Sequence, residues 1–226
     1  MKIKALCSAL ADLVFPPRCI FCDAVIPSGD QTCGHCEENI RRSDSVKYMN
    51  VPETGKTIRC TVPYFYSGTV RDAIIRFKFQ NQKQIAWFFA VEMLAGVKKN
   101  YRLAEFDLIT SVPVSAERYQ ARGYNQSELL SREIAAKSGL PYYELLEKIT
   151  DNREQHKLSE KDRRKNVLGV YRPLYAEMIA GKKILLVDDI VTTGATLCEC
   201  AKILLRNGAE EVSCAAIAEV PIERIG

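Results

Sequence analysis

From residue 60 onward, apolar positions switch repeatedly between a strand period and a helix period. Thr61–Tyr66 is a β-rich run with alternation. Thr69–Phe79 carries Val70, Ile74 and Phe77 at helical spacing, and Gln84–Val97 repeats the pattern with Ile85, Phe88, Phe89, Met93 and Leu94. Phe106–Ser111 is a short apolar strand closed by Val112-Pro113. Gln126–Lys137 places Leu129, Leu130, Ile134 and Ala135 on one helix face, with Gly139 as its stop and Pro141 just beyond. Leu168–Tyr171 reads as an edge segment. Lys183–Val187 is a buried strand, Thr196–Asn207 a helix ended by Gly208, and Glu211–Ala218 a last strand. Strands alternating with helices of about 10–14 residues predict an α/β domain with a mainly parallel sheet. That domain spans residues 60–226.

The first quarter of the chain has a different pattern. Ile3, Leu6, Leu10, Leu13 and Val14 predict a short amphipathic helix, stopped by Pro16-Pro17, so residues 1–17 form one unit. Residues 18–40 hold too few apolar side chains for a core and must be held by something else. Residues 41–59 are polar, with Pro52 and Gly55, and read as a linker or an edge excursion.

Cysteine chemistry supplies what holds residues 18–40. Cys19-x2-Cys22 and Cys33-x2-Cys36 bracket a short polar loop, the spacing of a closed four-thiolate zinc site. Such a site has no open position, so the zinc is expected to be structural. His35 lies inside the second pair and is not expected to be a ligand. Of nine cysteines in all, Cys198, Cys200 and Cys214 fall in apolar segments and read as small hydrophobes. The N-terminus lacks the apolar run of a signal peptide, and no stretch approaches the roughly 18 apolar residues of a membrane span. A cytosolic location is therefore expected, where paired cysteines favour metal over disulfide.

The 226 residues suit one medium domain plus a small appendage, and 47% hydrophobic content allows a sizeable core. A net charge of +4 falls short of the clustered excess that announces a nucleic-acid binder. The basic stretches Lys98–Arg102 and Lys161–Lys165 read first as solvated surface, and second as contacts for a phosphate-rich ligand or nucleic acid.

The sharpest chemistry lies in Ile184–Thr196, which reads ILLVDDIVTTGAT. Its aliphatic run fits a central strand covered on both faces. Asp188 and Asp189 follow at the C-terminal edge of that strand, where ligands bind in open α/β sheets. Adjacent carboxylates repel, and two vicinal sugar hydroxyls give each one a hydrogen bond to accept. Val191 leads into Thr192, Thr193, Gly194, Ala195 and Thr196, small residues at a helix N-terminus that form a cradle for a phosphate monoester. A diol site and a phosphate cradle a few residues apart suit one small molecule, a ribose 5-phosphate unit. No lysine follows Gly194, as a Walker A loop requires, and the three glycines of a dinucleotide fingerprint are absent. A receiver domain would need most of its sheet after the aspartates.

VDDIVTTGAT resembles the phosphoribosyl-diphosphate signature of type I phosphoribosyltransferases. The wider chain resembles the ComF family through CIFC and CGHC, FKF at Phe77–Phe79, VPVSAERYQARGYNQSELL at Val112–Leu130, and Arg163 with Asn166. The resemblance implies that Asp188 and Asp189 bind the ribose hydroxyls and residues 192–196 the 5-phosphate. It matches Pro113, Val114 and Ser115 to a pyrophosphate loop and adds Lys78 and Arg163 as candidate contacts. It also implies a bacterial protein tied to competence, with single-stranded DNA and competence or recombination proteins as candidate partners. One departure stands out: family members often carry Leu-Ala-Arg after the last strand, and this chain reads Ile217-Ala218-Glu219.

Arg118, Arg122, Asn125 and Gln126 follow Val112-Pro113-Val114 closely and read as pyrophosphate or acceptor contacts, because arginine forks suit phosphate oxygens. Asn125 also reads as a helix cap, with Glu128 as its box partner. Tyr66 and Tyr124 read as packing aromatics rather than base-stacking platforms. The implied reaction displaces pyrophosphate from C1 of 5-phosphoribosyl diphosphate by a nitrogenous acceptor, with Mg2+ bridging pyrophosphate and ribose oxygens. Asp188 or Asp189 is the candidate for proton removal. The other reading is a binding module that holds a phosphoribosyl compound or single-stranded DNA without turnover.

Overall fold

The computed structural model describes residues 15–149 and 170–221. The helix expected over 2–14 and the stretch 150–166, with Arg163 and Asn166, lie outside the described residues.

Strands β1 (Arg42–Val51), β2 (Lys56–Phe65), β3 (Leu108–Ser111), β6 (Lys183–Val191) and β7 (Glu211–Glu219) form one sheet in the order β1-β2-β7-β6-β3. Strands β2, β7, β6 and β3 are mutually parallel, and β1 runs antiparallel on the edge of β2. Two short strands, β4 (Leu146–Lys148) and β5 (Tyr171–Pro173), pair as a separate antiparallel ribbon.

The strand pattern explains the layering. Leu185, Val187, Ala215 and Ile217 point into one core, and Ile184, Leu186, Cys214 and Ala216 into the other. Both faces of the central strands are thus covered, as a parallel sheet requires. One face carries α2 (Gly68–Phe79), α3 (Ile85–Asn100) and α5 (Gln126–Ser138), together with the cysteine knuckle and its short helix α1 (Gly34–Asn39). The other carries α6 (Ala195–Arg206), whose Leu197, Cys200, Ala201 and Leu204 recur at helical spacing toward the sheet.

The knuckle is fastened to the first face by its own loop residues. Phe21, between Cys19 and Cys22, is buried and meets Tyr64, Phe88 and Phe89 edge-on at 5.6, 5.4 and 6.2 Å. Arg76 Nη2 of α2 donates to the carbonyls of Ile20 and Phe21 at 2.7 and 3.0 Å.

Three local features differ from the sequence expectation. Residues 42–51, read as a linker or an edge excursion, are the edge strand β1. Their inward side chains include Ser45 and Lys47, so the run lacks the apolar alternation of a strand. Strand β6 does not stop before the aspartates: it continues to Val191, because β7 keeps pairing with it at Asp188↔Ala216 and Val191↔Glu219. A further helix, α4 (Ala116–Arg122), buries none of its side chains and so has no amphipathic signature.

Candidate functional site

Strands β6 and β3 end side by side, and the chain leaves each one into a loop with helical backing. Between them lies a cavity of about 360 Å3 lined by Tyr66, Lys78, Val112, Pro113, Val114, Arg118, Arg122, Ser127, Lys148, Tyr171, Asp188, Asp189, Ile190, Thr192 and Thr196. Four cations therefore face two carboxylates, a balance that favours a polyanionic ligand.

The two aspartates differ in environment. Asp188 is buried, and its Oδ1 accepts from Ser127 Oγ at 3.0 Å and from the Asp189 N–H at 2.8 Å. Burial, with the Asp189 charge beside it, pushes the Asp188 carboxyl up to about 7. Asp189 projects to the cavity and pairs with Lys78 Nζ at 2.8 Å. The Phe77–Phe79 triplet on α2 divides its labour: Phe77 is core, Lys78 meets Asp189, and Phe79 supports the Arg122 guanidinium 4.7 Å above its ring. Burial lowers the pKa of that guanidinium, with Asp189 acting in the opposite sense.

Asn125 and Gln126, expected to touch ligand, do not line this cavity. Asn125 is buried; its Oδ1 accepts from the Ser127 N–H and its Nδ2 donates to the Val112 carbonyl, both at 3.0 Å. Gln126 is fully buried, and its Oε1 accepts from Arg122 Nη1 at 2.9 Å. The Arg122–Ser127 segment is thus a strut: Gln126 holds Arg122, Asn125 holds the Val112 loop, and Ser127 holds Asp188. Asn125 caps α5 as expected, but Glu128 bonds Arg132 at 2.8 Å instead of serving as a box partner. Replacing Asn125 with Ala should remove the cap and strand the Val112 carbonyl, costing about 2–3 kcal/mol. Thermal denaturation should then show a loss of roughly 4–12 °C.

Val191 is buried in strand β6, and Ser115 caps α4 by accepting from the Arg118 N–H at 3.3 Å. Thr193, Gly194 and Ala195 carry the loop into α6. Gly194 adopts φ 81°, a left-handed conformation that favours glycine, and any Cβ there would also displace the Met49 side chain. Tyr124 is buried and its hydroxyl donates to the Phe77 carbonyl, while Tyr66 faces the cavity. The sequence reading missed Tyr66 as a lining residue, along with Ser127, Lys148, Tyr171 and Ile190. Of these, Ser127 lies inside the Val112–Leu130 motif and Ile190 inside VDDIVTTGAT, so both had a signal in the sequence.

In the knuckle, the Sγ atoms of Cys19, Cys22, Cys33 and Cys36 lie within 4.8 Å of one another. Cys22 Sγ and Cys33 Sγ are 3.6 Å apart, far beyond a disulfide bond and close to the roughly 3.8 Å edge of a tetrahedral ZnS4 centre. The Cys33 N–H donates to Cys19 Sγ at 3.3 Å, and His35 turns to Asn39 instead. Four thiolates in this arrangement fit structural Zn2+, with no vacancy for a substrate.

Residues 120–225 match the family described as phosphoribosyl transferase domain, and residues 10–46 match the double zinc ribbon domain. Competence protein ComFC of Streptococcus pneumoniae is 31% identical over 86% of this chain and 84% of its own length. Competence protein F of Haemophilus influenzae is 29% identical over 87% and 82%. DNA utilization protein YhgH of Escherichia coli K12 is 32% identical over 65% and 66%. Among solved structures, a glutamine phosphoribosylpyrophosphate amidotransferase from B. subtilis aligns at 20% identity and TM-score 0.41 over 63% of this chain, which spans 30% of that protein. An adenine phosphoribosyltransferase aligns at 14% identity and TM-score 0.41, over 77% and 85% of the two chains. No helix among the described residues is long and apolar enough to cross a membrane. With a zinc ribbon, a phosphoribosyltransferase-type domain behind it, and this identity to ComFC over most of both lengths, the chain belongs to the ComF family.

Proposed function

We propose that the cavity at the end of β6 binds 5-phosphoribosyl diphosphate and that the protein transfers its phosphoribosyl group to a nitrogenous acceptor. The observation that carries this reading is the company Asp188 and Asp189 keep: Thr192 and Thr196 line the same cavity, and so do Arg118, Arg122 and Lys78. The carboxylates suit the ribose diol, the Thr192–Thr196 loop and the N-terminus of α6 suit the 5-phosphate, and the Val112–Ser115 turn with its arginines suits the diphosphate.

In this reading the acceptor nitrogen bonds to C1 as the C1–O bond to pyrophosphate breaks, and the bonding pair leaves with pyrophosphate. Positive charge develops on the ribose ring, beside Asp188 and Asp189. Arg118 and Arg122 take up the charge growing on the leaving group, so the protein contributes position and electrostatics rather than a nucleophile. Asp188 or Asp189 is the candidate to take the proton lost from the acceptor. Asp188 and Asp189 would be the hard oxygen donors for Mg2+ bound with the diphosphate, which would supply further charge neutralisation. Similarity to a competence protein F, a ComFC and a DNA utilization protein supports a place in DNA uptake or use; a cytosolic location and competence or recombination proteins as partners complete the reading.

Pyrophosphate release from 5-phosphoribosyl diphosphate and Mg2+, across a panel of nitrogenous bases and amines, tests the reaction. The expected result is release with at least one acceptor. No release with any of them, alongside tight binding of single-stranded DNA, would leave a binding module instead.

A further inference from the structure

The edge strand β1 reaches behind the loop that enters α6, and it does so with polar side chains. Lys47 Nζ donates to the Thr192 carbonyl at 3.2 Å and lies 3.5 Å from Glu219 Oε2. The other oxygen of Glu219 accepts from Ser45 Oγ at 2.7 Å and from Ser43 Oγ. Glu219 itself sits where three strands end. It pairs with Phe65 of β2 and Val191 of β6, and its carbonyl accepts from the N–H of the cavity residue Tyr66 at 2.7 Å. Two residues further along β1, Met49 fills the space against Gly194. These contacts give a role to Glu219, the position where the family's arginine is missing.

We propose that Lys47, held by Glu219, is a positioning residue for the phosphate loop; the proposal rests on the phosphoribosyl reading of the cavity. A trans peptide points its C=O and the following N–H in opposite directions. A carbonyl drawn toward Lys47 therefore turns the Thr193 N–H away from β1 and toward the loop's inner side, where a phosphate oxygen would accept it. The same bond keeps the Thr192 carbonyl dipole from facing an anion. Lys47 also lies directly behind the loop, with only 19% of its side chain exposed, so its charge is weakly screened. Glu219 with its two serines fixes that ammonium and balances it when no ligand is bound.

The test compares ribose 5-phosphate with inorganic pyrophosphate, each titrated with Mg2+ into the full-length wild type, Lys47→Met, Lys47→Arg and Lys47→Met/Glu219→Gln. Lys47→Met should weaken ribose 5-phosphate binding by roughly tenfold or more, the scale of one charge-assisted bond. Pyrophosphate, assigned to Arg118 and Arg122 instead of the phosphate loop, should bind within about twofold of wild type, a separation that general loosening of the fold would not produce. Lys47→Arg should recover most of the loss. The double variant removes the stranded carboxylate charge, so it should melt near the wild type yet still bind ribose 5-phosphate weakly. Equal binding of ribose 5-phosphate by wild type and Lys47→Met, or a parallel loss of both ligands, overturns the role of Lys47 while leaving the phosphoribosyl reading intact. A wild type that binds neither ligand removes that reading, and this inference with it.

Discussion

Replacing both Asp188 and Asp189 with asparagine should weaken binding of 5-phosphoribosyl diphosphate by about 10²- to 10⁴-fold, since each carboxylate-to-hydroxyl bond is charge-assisted and worth about 1.5–3 kcal/mol. Isothermal titration with Mg2+ present reads this directly. Asparagine keeps the shape, so the loss isolates charge. The change also leaves Lys78 without the anion 2.8 Å from it, which lowers stability without unfolding the sheet. A double variant that binds the ligand as tightly as wild type would mean that the aspartates do not hold the diol.

Asp188 alone carries a pH signature. Its folded carboxyl sits near 7, above the ordinary carboxylate value of 3.8. The folded protein therefore keeps a proton that the unfolded chain releases. This stabilising contribution is complete below about pH 4 and is lost as pH rises through 7. Asp188→Asn has no such proton, so its melting temperature relative to wild type should climb between about pH 4 and pH 7 and level off above that. Ligand affinity of the wild type should rise over the same window, because the diol needs the ionised form. A flat difference between the two proteins across that range would count against a buried, proton-holding Asp188.

How much of this site the sequence carried follows from which side chains face apolar surroundings. Strand β6 was legible because Ile184–Val187 are buried on both faces, and the carboxylates that follow interrupt the run. Helices α3 and α5 were legible for the same reason. Strand β1 was not, because half of its inner face, Ser45 and Lys47, serves Glu219 and Thr192, leaving only Met49 and Val51 for the core. Helix α4 escaped because none of its side chains is buried in the core. Asn125 and Gln126 show a different limit. Their residue types suit ligand contact and internal support equally, and only the structure shows the support they give, to the Val112 carbonyl and to Arg122. Polar residues that hold other polar residues leave no periodic trace, and here they form the frame behind each wall of the cavity.

The second large effect belongs to the knuckle, where metal and aromatic packing depend on each other. Cys19 and Cys36 are each 1% exposed, and Phe21 projects from the loop between Cys19 and Cys22 into the Tyr64, Phe88 and Phe89 cluster. Structural zinc contributes roughly 10 kcal/mol or more in small thiolate modules, comparable to the whole stability of a typical domain. Metal analysis should find about one zinc per chain. Cys19→Ser should lose it, and the melting temperature should fall by more than about 10 °C, because without the metal the loop no longer presents Phe21. Phe21→Ala should separate the two contributions: it keeps the four thiolates and the zinc, yet loses about 3–5 kcal/mol of buried aromatic contact. The consequences should extend to the cavity. Arg76 bonds the knuckle's carbonyls from the same turn of α2 that sends Lys78 to Asp189. A loosened knuckle frees that turn, so Cys19→Ser should also weaken ribose 5-phosphate binding, while Phe21→Ala, with the Ile20 and Phe21 carbonyls still in place, should weaken it less. A Cys19→Ser protein that keeps its zinc and its melting temperature would show that the knuckle is held by something other than its four thiolates.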